Sequence, residues 1–485
     1  MSILFQKILT FSLFFKIILI SQCDEYKIPF GLYRNKELCS DFNIMNNIYF
    51  NILHVNLSIG TPPQNVPFLL TIRSQTFAIN NQVYNNNYSQ TYDELSNYTI
   101  DFYNEDEFIS SGFNSMDILN LKNKKEKINF VLTTEIKYEK FPFGMLGLAI
   151  PNKVEPEVYP FFNSLSRANI INSFTWTLKY FDNISLIDTI YGNENNNIIG
   201  ELIFGNEPHN YEKNKKKYDR HQLIKINPIS SYDFSWDIEF ANIYMIFPYN
   251  ENNNNSSNRI NIKLNGKTQI MPGAGFIFVP KEFNYIIEKN FFDNYYKEKV
   301  CRGKSINNTI YGYIECDNNS SFNISSFPNL YFEHKELETT FNFTYEDLFV
   351  YDKKNDKYMF LMLTDKYLYG WIFGAIFLRK YQFIFNQDSK TLGYYKSMNN
   401  DFDIENEEKD GIIKYIIFGI LLIFVSALLI ILGMYIQKKY FNKKKKRANE
   451  LENSFDYESK DDNMIQEENH GGINLIRVNK IKFNI

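Results

Sequence analysis

The chain repeats one pattern twice: an apolar approach, a sharp turn and, well downstream, two apolar residues followed by glycine. In the first half PFLLTI runs into TIRS, ending at Ser74, and FGMLGLA follows at 143–149. In the second half an apolar approach runs into MPGAG at 271–275, and GWIFGAIFLRKY follows at 370–381. Internal repetition constrains architecture more than any single element does. Between about residue 48 and residue 397 the rest is a series of short strand-like runs, among them NILHVNLSI, YTIDFY, INFVLTT, SFTWTLKY, WDIEFANIYM and KYMFLML. Turn-rich stretches of Asn, Asp, Gly and Pro separate them, which predicts an all-β architecture. Aromatic residues make up 17% of the chain, with 45 Phe and 35 Tyr, and favour sheet over helical bundles. Helical candidates are brief, PFFNSLSRANI near 161 and PKEFNYIIEKNFFDNYY near 280.

At 485 residues the chain suffices for one large or two medium domains. Its net charge of −4 gives no global case for nucleic-acid binding. The opening MSILFQKILTFSLFFKIILISQC reads as a signal peptide over 1–23. No charged residue occurs from Tyr415 to Ile436. At ~1.5 Å per residue that run spans roughly 33 Å, enough to cross a bilayer. The basic KKYFNKKKKR after it places the C-terminus in the cytosol. The expected protein is single-pass and type I, in the secretory pathway, at the cell surface or in an endolysosomal membrane. Its expected segments are a short pro-like stretch over 24–47, a domain over 48–397, a juxtamembrane linker over 398–414, the membrane helix over 415–436 and a cytosolic tail over 437–485. The domain divides into lobes at about 48–210 and 211–397, and the polar, basic NEPHNYEKNKKKYDR at 206–220 reads as a solvated connection between them.

Sequons for N-glycosylation at Asn56, Asn87, Asn97, Asn183, Asn307, Asn323 and Asn342 agree with export. Of four cysteines, Cys301 and Cys316 lie close together in the ectodomain. A bridge closing such a loop contributes on the order of 3 kcal/mol, and an oxidising compartment favours it over two free thiols. Cys39 has no assigned partner.

Five stretches, in order, resemble the pepsin-like aspartic proteases, which include cathepsin D and the membrane-anchored beta-secretases. IGTPPQ at 59–64 is similar to the family's entry to its first active-site strand. FGMLGLA resembles its "DGILGLA", GELIFG at 200–205 its "GELILGG", and SWDIEF at 235–240 its "YWQI" strand. WIFGAIFLRKYQFIFN at 371–386 resembles "WILGDVFLRKYYTVFD" almost residue by residue. The resemblance spans about 350 residues. It implies a bilobal fold of two β lobes related by an approximate twofold axis, with a central cleft, and it puts Cys301 and Cys316 where the family's C-terminal lobe carries a disulfide.

It also implies chemistry that this chain lacks. The family needs one Asp from each lobe, in facing Asp-Thr-Gly turns, and the two carboxylates share a proton because like charges so close cannot both ionise. Here Thr71 stands at the first Asp position, followed by Ile72 and Arg73. Met271 stands at the second, followed by Pro272 and Gly273. Asp233 and Asp237 are the nearest aspartates upstream of the second turn and Asp93 is the first carboxylate downstream of Thr71, and none reaches its turn without breaking a neighbouring motif. Ile72 and Pro272 replace the threonines that lock the turns together, and Pro272 removes a backbone N–H. Phe102, with Tyr103 beside it, stands at the flap position where the family carries a tyrosine, and Asn104 and Glu105 replace the glycines of the flap tip. The pro-segment looks truncated, with about 25 residues between the signal and the first strand.

The expected function is therefore a catalytically inactive, membrane-anchored family member whose ectodomain binds peptides or proteins in its cleft, or acts as a scaffold. An aspartic endopeptidase with a divergent active site is the alternative, and a glycosylated adhesion or receptor protein the third. No cofactor, metal or nucleic-acid partner is expected: the five histidines are scattered, and neither a phosphate loop nor a hydrolase serine motif is present.

Overall fold

The structure, a computed structural model, describes residues 25–34, 44–72, 74–103, 109–121, 124–135, 143–150, 160–191, 198–229, 235–248, 259–264, 266–306, 309–365, 370–399, 432–447 and 449–450. Its strands follow the alternation in the sequence. Asn51–Ile59 turns Leu53, Val55, Leu57 and Ile59 inward and leaves Asn56 exposed. Period-two patterning makes one face of the sheet apolar, and burying that face is the main favourable term.

The repeated pattern becomes a repeated three-strand unit. In the first half Gln64–Thr71 enters the turn and Phe77–Asn80 leaves it. Gly144–Gly147 inserts between them, parallel to the first and antiparallel to the second. In the second half Lys267–Ile270, Ile277–Pro280 and Trp371–Phe373 take the same places and directions. The registers coincide. Leu70 pairs with Leu146 and Ile270 with Phe373, and each inserted partner is followed by glycine. Ala78 pairs with Met145 and Phe278 with Ile372. Positions 71 and 271 are thus equivalent in the two halves.

The two glycines are there because backbone occupies the space a side chain would need. A Cβ on Gly147 would lie 2.5 Å from the Ser74 carbonyl oxygen, and one on Gly374 would lie 2.0 Å from that of Ala274. These contacts fix how deeply each inserted strand penetrates its turn.

A sheet of thirteen described strands joins the halves. Thr175–Tyr180 pairs with Ile198–Phe204 on one side and with Ile384–Asn386 on the other, after which Thr391–Tyr395 and Leu223–Ile226 complete the edge. The last strands of the second half therefore close onto the first, so a division near residue 210 is crossed in space. Trp176 stacks on Phe385 at 3.9 Å, with Trp236 edge-on to both. The Thr177 hydroxyl donates to the Phe383 carbonyl at 2.7 Å and accepts from the Gln382 amide at 3.2 Å. Nine- and four-stranded sheets build the remainder of the second half.

Two segments differ from the sequence expectation. Tyr26–Arg34 lies within the span expected to precede the first strand, yet it is a strand itself, paired with Asn51–Ile59 and with Ile198–Phe204. Its alternating Ile28, Phe30 and Leu32 are buried, which is why it joins the sheet. The 206–220 connection exposes Lys213, Lys215 and Lys216 but is pinned by Tyr218. That residue is buried, packs edge-on to Tyr395 and donates its hydroxyl to Gln382 Oε1 at 2.7 Å. Cys301 and Cys316 are directly opposite on paired strands and form a disulfide.

Asp403–Ile485 is a separate compact unit. Residues 432–447 and 449–450 in it are helical. No helix among the described residues is long and apolar enough to cross a membrane. Residues 415–431 of the expected span lie outside the described residues, as do the signal sequence at 1–23, Cys39 and the linker from residue 400 to 414.

Replacing Gly374 by alanine must displace the Ala274 carbonyl, and we expect a loss of at least about 2 kcal/mol. Gly303→Ala, where a Cβ meets nothing within 4 Å, is the control. Denaturant unfolding of the two ectodomain variants checks this, and equal midpoints would refute it.

Candidate functional site

Both turns clasp their inserted strand through backbone hydrogen bonds, but in different ways. In the first, Leu148 N donates to the Thr71 carbonyl at 2.7 Å, Ala149 N to that of Ser74 at 3.1 Å, and Gly147 N to that of Thr76 at 3.0 Å. The Ser74 hydroxyl also accepts from Thr76 N at 3.1 Å. In the second, Met271 N donates to the Phe373 carbonyl and Ala375 N to the Ala274 carbonyl, both at 2.8 Å. Ala274 N folds back onto the Met271 carbonyl at 3.0 Å, closing a β-turn with Pro272 and Gly273 at its centre. Proline suits the first central position because its φ is preset. The equivalent carbonyls of Thr71 and Met271 thus have different partners.

The side chains carry no acid–base pair. Thr71 is fully buried, Ile72 and Pro272 are buried, and Met271 is half-buried against the apolar core. Arg73 lies outside the described residues. Asp93 is exposed at the start of the strand Asp93–Tyr103. Asp237 is buried just before the short strand Ile238–Glu239, with its carbonyl accepting from Ile229 N. Asp233 lies outside the described residues. Beside Asp237, Trp236 is buried and its Nε1 donates to the Leu148 carbonyl at 2.9 Å, supporting the strand held by Thr71.

Asp93–Tyr103 and Ile109–Leu121 form the flap hairpin. Phe102 pairs with Ser110 and Tyr103 with Ile109 through the backbone, and the tip with Asn104 and Glu105 lies outside the described residues.

Two features escaped the sequence analysis. Asp117 is buried in the hairpin strand and accepts from the Tyr84 hydroxyl, from Thr91 Oγ1 at 2.5 Å and from Ile118 N at 2.7 Å. Burial, with Asp117 adding to it, pushes the Tyr84 hydroxyl well above the usual tyrosine range. So occupied a carboxylate is a brace for the hairpin base. The signal was an acid on the inward register of Ser115, Asp117, Leu119 and Leu121, all buried. The second feature is the helix Ile44–Phe50, whose Met45, Asn46, Asn47 and Ile48 are all buried. A Cβ on Gly275 would lie 2.7 Å from Ile48 Cγ2, so the helix packs directly on the chain leaving the second turn. Asn51 Nδ2 fastens its end to the Ile190 carbonyl at 2.9 Å.

The sequons differ in setting. Asn56, Asn87, Asn183 and Asn323 are exposed. Asn342 is half-buried and its Oδ1 accepts from the Tyr381 hydroxyl at 2.7 Å. The Asn97 side chain and Asn307 lie outside the described set. Among the described residues no group of three or more His, Cys, Asp or Glu is placed to hold a metal ion.

Two units of matching register, joined by a shared sheet, define the bilobal architecture of the pepsin-like class. The family model for eukaryotic aspartyl protease matches residues 54–396, and the chain belongs to that family. No curated protein matches it.

Titration of this fold is unfavourable in acid. Burial lowers the pKa of His54 and of His209, and brings that of His334 down to about 4 from 6.5. His334 Nδ1 accepts from Leu337 N at 3.2 Å, which requires the unprotonated nitrogen. Between pH 6.5 and about 4 the unfolded chain binds a proton at this residue and the folded chain does not. Stability is therefore full above pH 6.5 and falls as pH drops towards 4, by roughly 3 kcal/mol. His334→Asn keeps an acceptor and cannot titrate. Thermal unfolding across pH 4–7 is expected to show a shallower acid decline for the variant than for wild type.

Proposed function

We propose that this chain is a membrane-anchored member of the eukaryotic aspartyl protease family without peptidase activity, its glycosylated ectodomain acting as an interaction scaffold. One observation carries the reading. The strand registers make positions 71 and 271 equivalent, which supports reading Thr71 and Met271 as the residues that stand in for the family's two aspartates. A hydroxyl and a thioether cannot serve as general base or acid near neutral or acidic pH. Each lost acid–base role costs roughly 10²–10⁴ in rate, so losing both leaves almost nothing. Ile72 and Pro272, buried beside them, offer no side-chain donor to a replacement carboxylate.

The helix Ile44–Phe50, buried and packed on Gly275 beside the second turn, supports a scaffold reading. An endopeptidase with a divergent site gains nothing from this arrangement. Type I anchoring in a secretory membrane rests on the uncharged run Tyr415–Ile436 and the basic residues after it. Exposed sequons and the disulfide fit a lumenal or extracellular ectodomain.

Purified ectodomain is expected to hydrolyse no member of a broad peptide library from acidic to neutral pH and to ignore pepstatin. The comparison is with the Thr71→Ala, Met271→Ala double variant. Cleavage by wild type that the double variant lacks would make this chain an enzyme. Restoring Asp at 71 and 271 alone is also expected to fail, because Ile72 and Pro272 still withhold the hydroxyls that hold the dyad. For orientation, protease protection of sealed vesicles should shield the ectodomain and leave the tail after Lys446 accessible.

A further inference from the structure

Leu432–Arg447 is helical, and each of its side chains is exposed. It begins with the end of the apolar run, where Leu432, Met434, Tyr435 and Ile436 are between 55% and 63% exposed. It continues with seven cations, Lys438, Lys439, Lys443, Lys444, Lys445, Lys446 and Arg447. Tyr440 and Phe441 stand between them, 73% and 72% exposed. No Asp or Glu occurs from Gly411 to Asn449, so no lysine up to Lys445 has an acid three or four residues on. That spacing instead brings like charges together, as in Lys439 with Lys443, Lys443 with Lys446, and Lys443 with Arg447. Such pairs destabilise an isolated helix, and an external anionic surface relieves them.

Geometry limits where that surface lies. Helical rise puts Lys438 and Lys439 within about 5 Å of Ile436, at headgroup depth, and Arg447 roughly 16 Å away. A Debye length of about 8 Å at physiological salt leaves the outer lysines weakly attracted unless the helix leans onto the surface. Tyr440 and Phe441 supply amphipathic and apolar rings of the kind that settle at a membrane–water interface.

We propose that Lys438–Arg447 is a binding site for anionic phospholipid headgroups in the leaflet where the apolar run ends, held there by Tyr440 and Phe441. The proposal rests on the membrane-anchored reading above and adds a lipid class to it. Charge complementarity selects this occupant, since polybasic juxtamembrane segments concentrate acidic lipids. The competing occupant is the chain's own acidic stretch from Glu450 to Glu468.

The test uses the full chain reconstituted in phosphatidylcholine vesicles with a minor fraction of phosphatidylserine. Flotation at alkaline pH reads anchoring. The phosphatidylserine-to-phosphatidylcholine ratio in polymer-excised nanodiscs, relative to bulk, reads the site. Wild type is expected to float and to be enriched severalfold in phosphatidylserine. Changing all seven cations to Gln should abolish enrichment without affecting flotation, because Gln keeps helix propensity. Tyr440→Ala with Phe441→Ala should reduce it, and salt of about 1 M, where the Debye length is near 3 Å, should remove it. A chain that fails to float overturns the anchoring itself. A chain that floats without enrichment, or is enriched only once Glu450–Glu468 is deleted, overturns the lipid site alone.

Discussion

The close approach of backbone to backbone at Gly147 and Gly374 is the constraint on which the rest of this molecule depends. At each site the carbonyl of residue 74 or 274 occupies the space of a missing side chain. The inserted strand can therefore seat deeply between the strand entering the turn and the strand leaving it. Everything above that level follows from having two such units. Their strands leave apolar faces that pack into one core, and the shared sheet through Trp176, Phe385 and Thr177 fixes one half against the other. Neither contact uses the side chains at 71 or 271.

That independence lets the architecture form whatever side chains stand at 71 and 271. The turns are held by main-chain hydrogen bonds from Leu148, Ala149, Met271 and Ala375, which do not use the side chains at 71 and 271. Paired buried carboxylates are costly to desolvate, and apolar replacements of similar volume are often neutral or stabilising. Thr71, Ile72 and Pro272 sit buried in that environment without such a penalty. The second turn has also changed its own bonding: Met271 now accepts from Ala274, where the equivalent Thr71 accepts from the inserted strand. Once the two turns no longer share a hydrogen-bond pattern, facing groups cannot be brought back by substituting two side chains.

The N-terminal segment extends the same logic. Tyr26–Arg34 completes the shared sheet, and the helix that follows it is buried against the exit of the second turn. The segment contributes core, through Phe30, Met45 and Ile48, all at most 1% exposed. The buried, unprotonated His334 points the same way, since its stabilising contact with Leu337 weakens with acidity.

The strand-forming runs, the helices Pro160–Arg167 and Lys281–Ile287, the repeated turns and the Cys301–Cys316 pairing were all legible in the linear chain. They depend on period-two patterning, turn chemistry and short sequence separation, which are local. The loss of acid from both turns was legible too, because residue type at a motif position is a fact of sequence alone. Tyr26–Arg34 was missed because it falls in the stretch expected to precede the first strand and its partners at 51–59 and 198–204 are far apart in the chain. Asp117 carried no sequence signal of its role, because Tyr84 and Thr91 reach it only in the folded chain. Long-range pairing decides such cases, since the free energy of burying a strand or a carboxylate is set by what covers it. The sequence determined that this chain folds as two copies of one β unit, with Thr71 and Met271 at the matching turn positions. Only the tertiary structure decided which segments complete the shared sheet and that a helix packs on the chain leaving the second turn, because both are contacts between elements that no local pattern encodes.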